Sequence, residues 1–159
     1  DENLYIAVDV TDSSVVASSD RIAREQDSVS ISVDARPDPD RSANSGLFEA
    51  LRSGALRKIV TAMVTLAEPK PDPIMALFGA SAPDGLVHAS ERTPRGYAVE
   101  FAIPTASLDA ARGATWDKLR VNVGLADFDE NEPDHTVVQW RADRFGGRAP
   151  VGSGVFLKR

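Results

Sequence analysis

Strict alternation of apolar and polar residues constrains this chain more than any other feature. Between Ser28 and Asp34, valine or isoleucine occupies every second position, and serine or aspartate occupies the positions between them. Successive side chains of an extended strand point to opposite faces, so a period of two gives one dry face and one wet face. Similar runs cover Leu4 to Val10, Tyr97 to Ile103 and Leu119 to Leu125. These runs predict half-buried strands of antiparallel sheets.

Shorter segments between proline and glycine breaks complete the predicted architecture. Ile59 to Leu66 is compatible with a strand or a helix, and the other short strands are predicted at Met75 to Phe78, Leu86 to Ala89, Val137 to Trp140 and Val155 to Leu157. Short helices are predicted at Leu47 to Arg52 and Ala106 to Arg112. The predicted fold class is all-β, an antiparallel two-sheet β-sandwich of the jelly-roll-like kind with short helical insertions, in one domain spanning residues 1–159. Its predicted core-facing residues are Val29, Ile31, Val33, Val99, Phe101, Ile103, Val121 and Val123.

Composition narrows the possible partners. The 24 acidic residues outnumber the 18 lysines and arginines, which gives a formal net charge of -6. Phosphate binding favours a basic surface, so nucleic acid and anionic membranes are unfavourable partners. The absence of cysteine excludes disulfides and thiol chemistry. We predict a monomer that binds neither nucleic acid nor membrane.

Catalytic motifs do not emerge from the sequence. The two histidines, His88 and His135, are far apart and do not form an HExxH pair. The sequence also contains no GxSxG elbow and no glycine-rich phosphate loop. We therefore predict a binding domain and not an enzyme.

Aspartates near strand ends are candidate metal ligands. Asp127, Asp129 and Asn131 form a D-x-D-x-N pattern whose alternate oxygen atoms suit a hard cation such as Ca²⁺. The EF-hand arrangement fails because Val138 occupies its twelfth position, and a solvated acidic turn is the favoured alternative. Two further groups could hold calcium or cap turns, namely Asp9 with Asp12, and Asp34 with Asp38 and Asp40.

The two tryptophans, Trp116 and Trp140, are candidate ligand-stacking residues. Trp140 lies between Gln139 and Arg141, a combination that pairs a flat ring with polar side chains, as a saccharide pocket requires. Packing at the core or its rim is an equally good interpretation for Trp140. For Trp116, which precedes Asp117, packing is the favoured interpretation.

Five motifs in order resemble the family 9 carbohydrate-binding modules. Leu4 to Asp12 resembles the family's LY-(V/I)-A-V-x-V-x-D strand, Asp27 to Asp34 its D-S-V-E-I-x-(I/V)-D strand, and Gly96 to Pro104 its G-Y-x-V-E-x-A-I-P strand. Val121 to Asp129 is similar to the next strand and acidic turn. Trp140 and the segment Gly152 to Leu157 resemble the closing tryptophan and the G-x-(L/F)-x-L end. In this comparison the family's opening strand would precede Asp1, which favours a processed or trimmed start.

The resemblance implies a secreted, non-catalytic saccharide-binding β-sandwich with structural calcium, appended to a glycoside hydrolase or another extracellular protein. Trp140 matches the later of two tryptophans that clamp a terminal sugar, and Arg24 stands where the earlier one is expected. The predicted site is therefore Trp140, Gln139, Arg141 and Arg24. With one ring of the clamp missing, we expect weak binding of mono- or oligosaccharides, or of a uronate paired with Arg24. The alternative is a structural or protein-docking sandwich that has lost sugar binding.

Overall fold

Two antiparallel sheets confirm the predicted sandwich. The computed structural model describes residues 2–21, 25–37, 58–66, 82–130, 135–140 and 154–158. These residues contain eight strands and one helix. The strands are β1 Asn3–Thr11, β2 Ser28–Asp34, β3 Ile59–Thr65, β4 Val87–Thr93, β5 Gly96–Pro104, β6 Lys118–Asp127, β7 Thr136–Gln139 and β8 Gly154–Leu157, and α1 spans Thr105–Arg112.

Among the described strands, the sheet topology leaves one side of the sandwich with short or unpaired edges. The first sheet has the order β1-β5-β4, so β1 forms its edge. The second has the order β3-β2-β6-β7, and β8 also pairs with β6. β8 pairs with residues 118–121 of β6 and β7 with residues 124–127. Two short strands therefore share the edge of the second sheet.

The core lies between the inner faces of the two sheets. Seven of the eight predicted core residues are buried, and Phe101 and Ile103 on β5 are fully inaccessible to solvent. The exception is Val123, which is only partly buried although it packs against the core. Val123 lies on β6, beside the side of the sandwich that the short strands leave open. A period of two predicts that its side chain faces inward, but it does not predict how much of that side chain the neighbouring strands cover.

Tertiary pairing resolved the ambiguous segment at Ile59. Residues 59–65 form β3, which pairs antiparallel with β2 along its whole length. The helix predicted at Ala106 is also present, and it ends at Gly113 with φ of 77°. No helix in the described ranges is long and apolar enough to cross a membrane. The predicted helix at Leu47 to Arg52 and strand at Met75 to Phe78 lie outside the described residues.

Candidate functional site

An aromatic groove runs along the open side of the sandwich, between β1 and the edge that β7 and β8 share. It encloses about 460 Å³. The groove is open because β1 is the edge strand of its sheet. Ile6 on β1 is only partly buried, whereas its cross-strand partner Phe101 on the central strand β5 is fully buried. Four aromatic residues line this groove, namely Tyr5, Trp116, Trp140 and Phe156.

Trp140 is anchored in the groove by its backbone and by its ring. Its N–H donates to the carbonyl oxygen of Val123 at 2.9 Å, which continues the ladder past the end of β7. The ring lies directly on Gly154, since a Cβ atom there would overlap it. The Phe156 ring centroid is 6.1 Å from that of Trp140, with the planes tilted by 39°. Half of Trp140 nevertheless remains exposed, at 50%, so it is not a core residue.

Gln139 lies on the opposite face of the same sheet. A Cβ atom at Gly124 would meet the side chains of Gln139 and Ser30, whereas the Trp140 ring covers Gly154 on the core side. Asn122 Nδ2 also donates to Gln139 Oε1 at 3.4 Å. Consecutive residues of an extended strand point to opposite faces. The structure therefore separates Gln139 from Trp140, and the two do not form the single cluster that their adjacency predicted.

The other two predicted saccharide contacts, Arg24 and Arg141, lie outside the described residues. Trp116, which the sequence assigned to packing, does pack against the core but also lines the groove. The Lys158 ammonium lies 4.8 Å from its ring centroid. Sequence reasoning missed the contributions of Tyr5 and Phe156. The local indication that the sequence offered for this side of the sandwich was an aromatic residue, Tyr5, on the solvent-facing side of the first strand.

The open edge of β1 adds backbone polar groups to the groove. Glu2 accepts a hydrogen bond from Thr105 N–H, and Asp12 N–H donates to the carbonyl oxygen of Arg95. Even-numbered residues of β1 thus direct their backbone groups to β5. Because this direction alternates along an antiparallel strand, Tyr5 and Ala7 direct their N–H and C=O groups away from β5. Hydrogen-bonding groups therefore accompany the aromatic rings.

A second cluster joins the ends of three strands. One carboxylate oxygen each from Asp12, Asp27 and Asp127 lies within 4.8 Å of the other two. Asp27 is buried, and its oxygens accept from Val16 N–H at 2.6 Å and Phe128 N–H at 2.7 Å. Burial raises the pKa of Asp27 to about 6, with a smaller contribution from the Asp12 charge, although the two backbone hydrogen bonds oppose the shift. The cluster therefore brings three acidic side chains close together in a partly buried environment.

Tyr97 on β5 belongs to the same electrostatic environment. Its side chain is buried, at 1% exposure. Burial is the main cause that raises the pKa of its hydroxyl, and the charges of Asp27, Asp12 and Asp127 raise it further. Among the described residues, neither the Tyr97 hydroxyl nor Asp12 Oδ2 has a hydrogen-bond partner, although both atoms are buried.

The carboxylate cluster differs in membership from the groups of metal ligands predicted from sequence. Asp127 does contribute, but its companions come from other strand ends, whereas Asp129 is exposed to solvent and Asn131 lies outside the described residues. Asp9 instead lies 3.6 Å from Arg95 in an exposed ion pair. In the remaining group Asp34 pairs with Arg36, and Asp38 and Asp40 lie outside the described residues. Asp27, which the sequence analysis noted only as part of a strand motif, is a member of the cluster that the local spacing pattern did not indicate.

Comparisons with known proteins agree with this architecture. Residues 1–145 match the family described as carbohydrate family 9 binding domain-like. Among solved structures, the chain is similar to a carbohydrate binding module family 9 from Caldicellulosiruptor kristjanssonii in complex with cellotriose, with a TM-score of 0.65 and 18% identity. That match covers 99% of this chain and 70% of the other. No curated protein matches the sequence.

Proposed function

Because this chain belongs to the carbohydrate family 9 binding domain-like proteins, we propose that it is a non-catalytic domain that binds a saccharide in the aromatic groove. The family is one of binding domains. The proposal makes the groove, and not the Gln139 face, the principal contact with the ligand. It also places the domain in a secreted or extracytoplasmic protein that acts on or adheres to polysaccharide.

The half-exposed Trp140 ring is the observation that carries this proposal. Sugars present C–H faces that pack on flat aromatic rings, and a ring held against a glycine backbone is already ordered before the ligand arrives. Phe156 extends this surface at a centroid distance of 6.1 Å. The outward backbone groups of β1 supply donors and acceptors for sugar hydroxyls.

Affinity is expected to be weak, because a single stacking ring replaces a two-ring clamp. By analogy with base stacking, one aromatic face contributes about 1–3 kcal/mol. The missing face then costs about tenfold to a hundredfold in affinity, at roughly 1.4 kcal/mol per decade. We expect dissociation constants on the order of millimolar for neutral cello-oligosaccharides, the ligand class of the solved relative.

Trp140→Ala is expected to abolish measurable saccharide binding while the domain stays folded. The ring provides the stacking surface, and its 50% exposure limits the loss of core packing. The measurement is a two-dimensional NMR titration of the ¹⁵N-labelled chain with cellotriose and with a uronate oligosaccharide. Shifts are expected at Trp140 Nε1 and along β1, and they should disappear in the variant.

Two variants on β8 serve as comparisons for this titration. Val155→Ala changes an exposed residue of β8 that does not line the groove, so binding should persist. Gly154→Ala places a methyl group where the Trp140 ring lies, so it should displace the ring and weaken binding. Saccharide binding that survives Trp140→Ala, or shifts confined to Gln139 and Asn122, would contradict the groove as the site. Absence of binding to any glycan would favour the protein-docking alternative.

A further inference from the structure

We propose that a cleft at the end of β1 binds the carboxylate of an acidic sugar unit, so that the saccharide held in the aromatic groove is one that contains uronic acid. This inference rests on the proposed function and names the class of its ligand. The cleft encloses about 540 Å³, and Arg92 and Arg95 are among the residues that line it. Neither arginine belongs to the saccharide site predicted from sequence.

Hydrogen bonds and close packing hold the two walls of the cleft together. One wall is the turn between β4 and β5, and the other is the loop that follows β1. Asp12 N–H donates to the carbonyl oxygen of Arg95 at 2.8 Å, and Arg95 N–H donates to Thr93 Oγ1 at 3.3 Å. Gly96, whose φ is 147°, allows this approach, because a Cβ atom there would overlap the carbonyl oxygen of Val10. The cleft is therefore ordered before a ligand arrives, which lowers the entropic cost of binding.

The two arginines approach the end of the first sheet from opposite faces. Arg92 is the cross-strand partner of the core residue Tyr97, so its side chain leaves β4 on the inner face. Its Nη2 donates to the carbonyl oxygen of Val15 at 3.5 Å, which is a long contact. Arg95 Nη2 instead lies 3.6 Å from Asp9 Oδ2, and the Arg95 side chain is 74% exposed. A ligand at the end of the sheet can therefore meet both guanidinium groups.

The residues that line the cleft suit a carboxylate carried by a sugar. Guanidinium groups bind carboxylates through charge-assisted hydrogen bonds. Thr11, Ser13 and Thr93, whose side chains carry hydroxyl groups, also line the cleft. Hydroxyl groups both donate and accept hydrogen bonds, as sugar hydroxyls require. The volume is that of a small-molecule site, larger than a lone anion needs. A uronic acid unit offers both the charge and the hydroxyl groups.

Two aspartates beside the cleft leave its positive charge available to a ligand. Asp12 lines the cleft, but its Oδ1 accepts a hydrogen bond from Ser14 N–H at 2.7 Å and its Oδ2 is buried. Asp9 is 63% exposed in its ion pair with Arg95. Exposed ion pairs contribute little to stability, because water and salt screen them. A ligand carboxylate can therefore replace Asp9 beside Arg95 at a small cost in free energy.

The outer face of β1 connects the aromatic groove with this cleft. Tyr5 and Ala7 line the groove, and Thr11 lines the cleft. All three residues lie on the exposed face of the strand, as does Asp9 with its partner Arg95 between them. Ala7 and Thr11 are roughly 13 Å apart at the rise of a strand. An oligosaccharide held in the groove can therefore extend along β1 and place an acidic unit at the cleft.

The test compares cellotriose with the matched trisaccharide of β-1,4-linked glucuronic acid, by NMR titration of the full chain. The acidic trisaccharide should bind about fivefold to tenfold more tightly at low salt, and it should shift the Nε signals of Arg92 and Arg95. Its neutral methyl ester should bind as cellotriose does. High ionic strength should remove the preference for the acid, because it screens exposed charges.

Substitutions assign this preference to individual side chains. Arg92→Gln and Arg95→Gln should each lower the ratio of acidic to neutral affinity towards one. Asp9→Asn removes the carboxylate that competes for Arg95, so it should raise the affinity for the acidic trisaccharide. Arg21→Gln makes the same change of charge at an exposed arginine that does not line the cleft, and it should bind both trisaccharides as the unaltered chain does.

The outcomes separate this inference from the proposed function. Equal affinity for the two trisaccharides, or a preference for the acid that survives both arginine substitutions, would overturn the cleft and leave the groove in place. Binding of the acidic trisaccharide that depends on Arg92 and Arg95, without any binding of cellotriose, would support the cleft and contradict the groove. Acetate that shifts the arginine signals at the same concentration as the acidic trisaccharide would overturn the assignment to a sugar. Absence of binding by either trisaccharide would overturn both proposals.

Discussion

Phe101→Ala is expected to lower the free energy of unfolding by about 3–5 kcal/mol, the usual cost of deleting a buried phenylalanine ring. Phe101 lies in the middle of β5, the central strand of the first sheet, and it is 0% exposed. Its cross-strand neighbours are Ile6 on β1 and His88 on β4. Because both flanking strands and the opposite sheet hold its surroundings in place, the core cannot readily collapse into the space left by the ring.

Chemical denaturation followed by circular dichroism measures this loss. Val87→Ala is the matched control, since Val87 is 61% exposed on β4 and its truncation should change stability by no more than about 0.5 kcal/mol. The folded variant should retain the strand content of the unaltered chain. A Phe101→Ala loss below about 1 kcal/mol would mean that the ring is not enclosed by the sandwich.

Asp34→Ala is also expected to cost about 3–5 kcal/mol, because it removes the Asp34 carboxylate from the buried guanidinium that it binds. Arg36 is 1% exposed and Asp34 is 2% exposed. Arg36 Nε donates to Asp34 Oδ1 and Nη2 donates to Oδ2, each at 2.9 Å, and the Arg36 backbone N–H donates to Oδ1 at 3.0 Å. This bidentate contact at the end of β2 explains how the Asp34 carboxylate can be buried. Asp34 is one of the aspartates that the sequence analysis named as a candidate calcium ligand.

A double-mutant cycle measures the interaction energy between Asp34 and Arg36. Arg36→Met removes the charge while keeping an unbranched side chain, so the double variant should be more stable than the sum of the two single losses predicts. The exposed pair of Asp9 and Arg95 is the control, since surface pairs contribute about 0–1 kcal/mol and Asp9→Ala should stay within that range. Strict additivity of Asp34→Ala and Arg36→Met would show that the buried pair is not energetically coupled.

Much of the architecture could be predicted from local sequence patterns. The alternation in β2 fixed its limits, and Val29, Ile31 and Val33 face the core as the period of two requires. The same logic located β5 and β6, and the order of motifs identified the family. Such features are predictable because a half-buried strand must place apolar side chains at every second position, whatever its partners are.

The aromatic groove depended on which strands lie at sheet edges. Nothing in the sequence of β1 shows that Tyr5 and Ile6 border an open side, since the same alternation occurs in the central strand β5. Adjacency even misled the prediction, because Gln139 and Trp140 are neighbours in the chain but point to opposite faces. Val123 is only partly buried for the same reason: its exposure is set by what the neighbouring edge leaves uncovered.

The carboxylate cluster shows the limit of sequence most clearly. A spacing pattern grouped Asp127 with Asp129, yet strand pairing places Asp127 beside Asp12 and Asp27, which come from distant parts of the chain. By itself the sequence determined most of the described strands, their inward faces and the family, because these depend on periodicity and short motifs, whereas pairing with β2 decided that residues 59–65 form a strand. Only the tertiary structure decided which strands became edges and which strand ends met. Those choices depend on pairing between distant segments, and they determine both the groove and the carboxylate cluster.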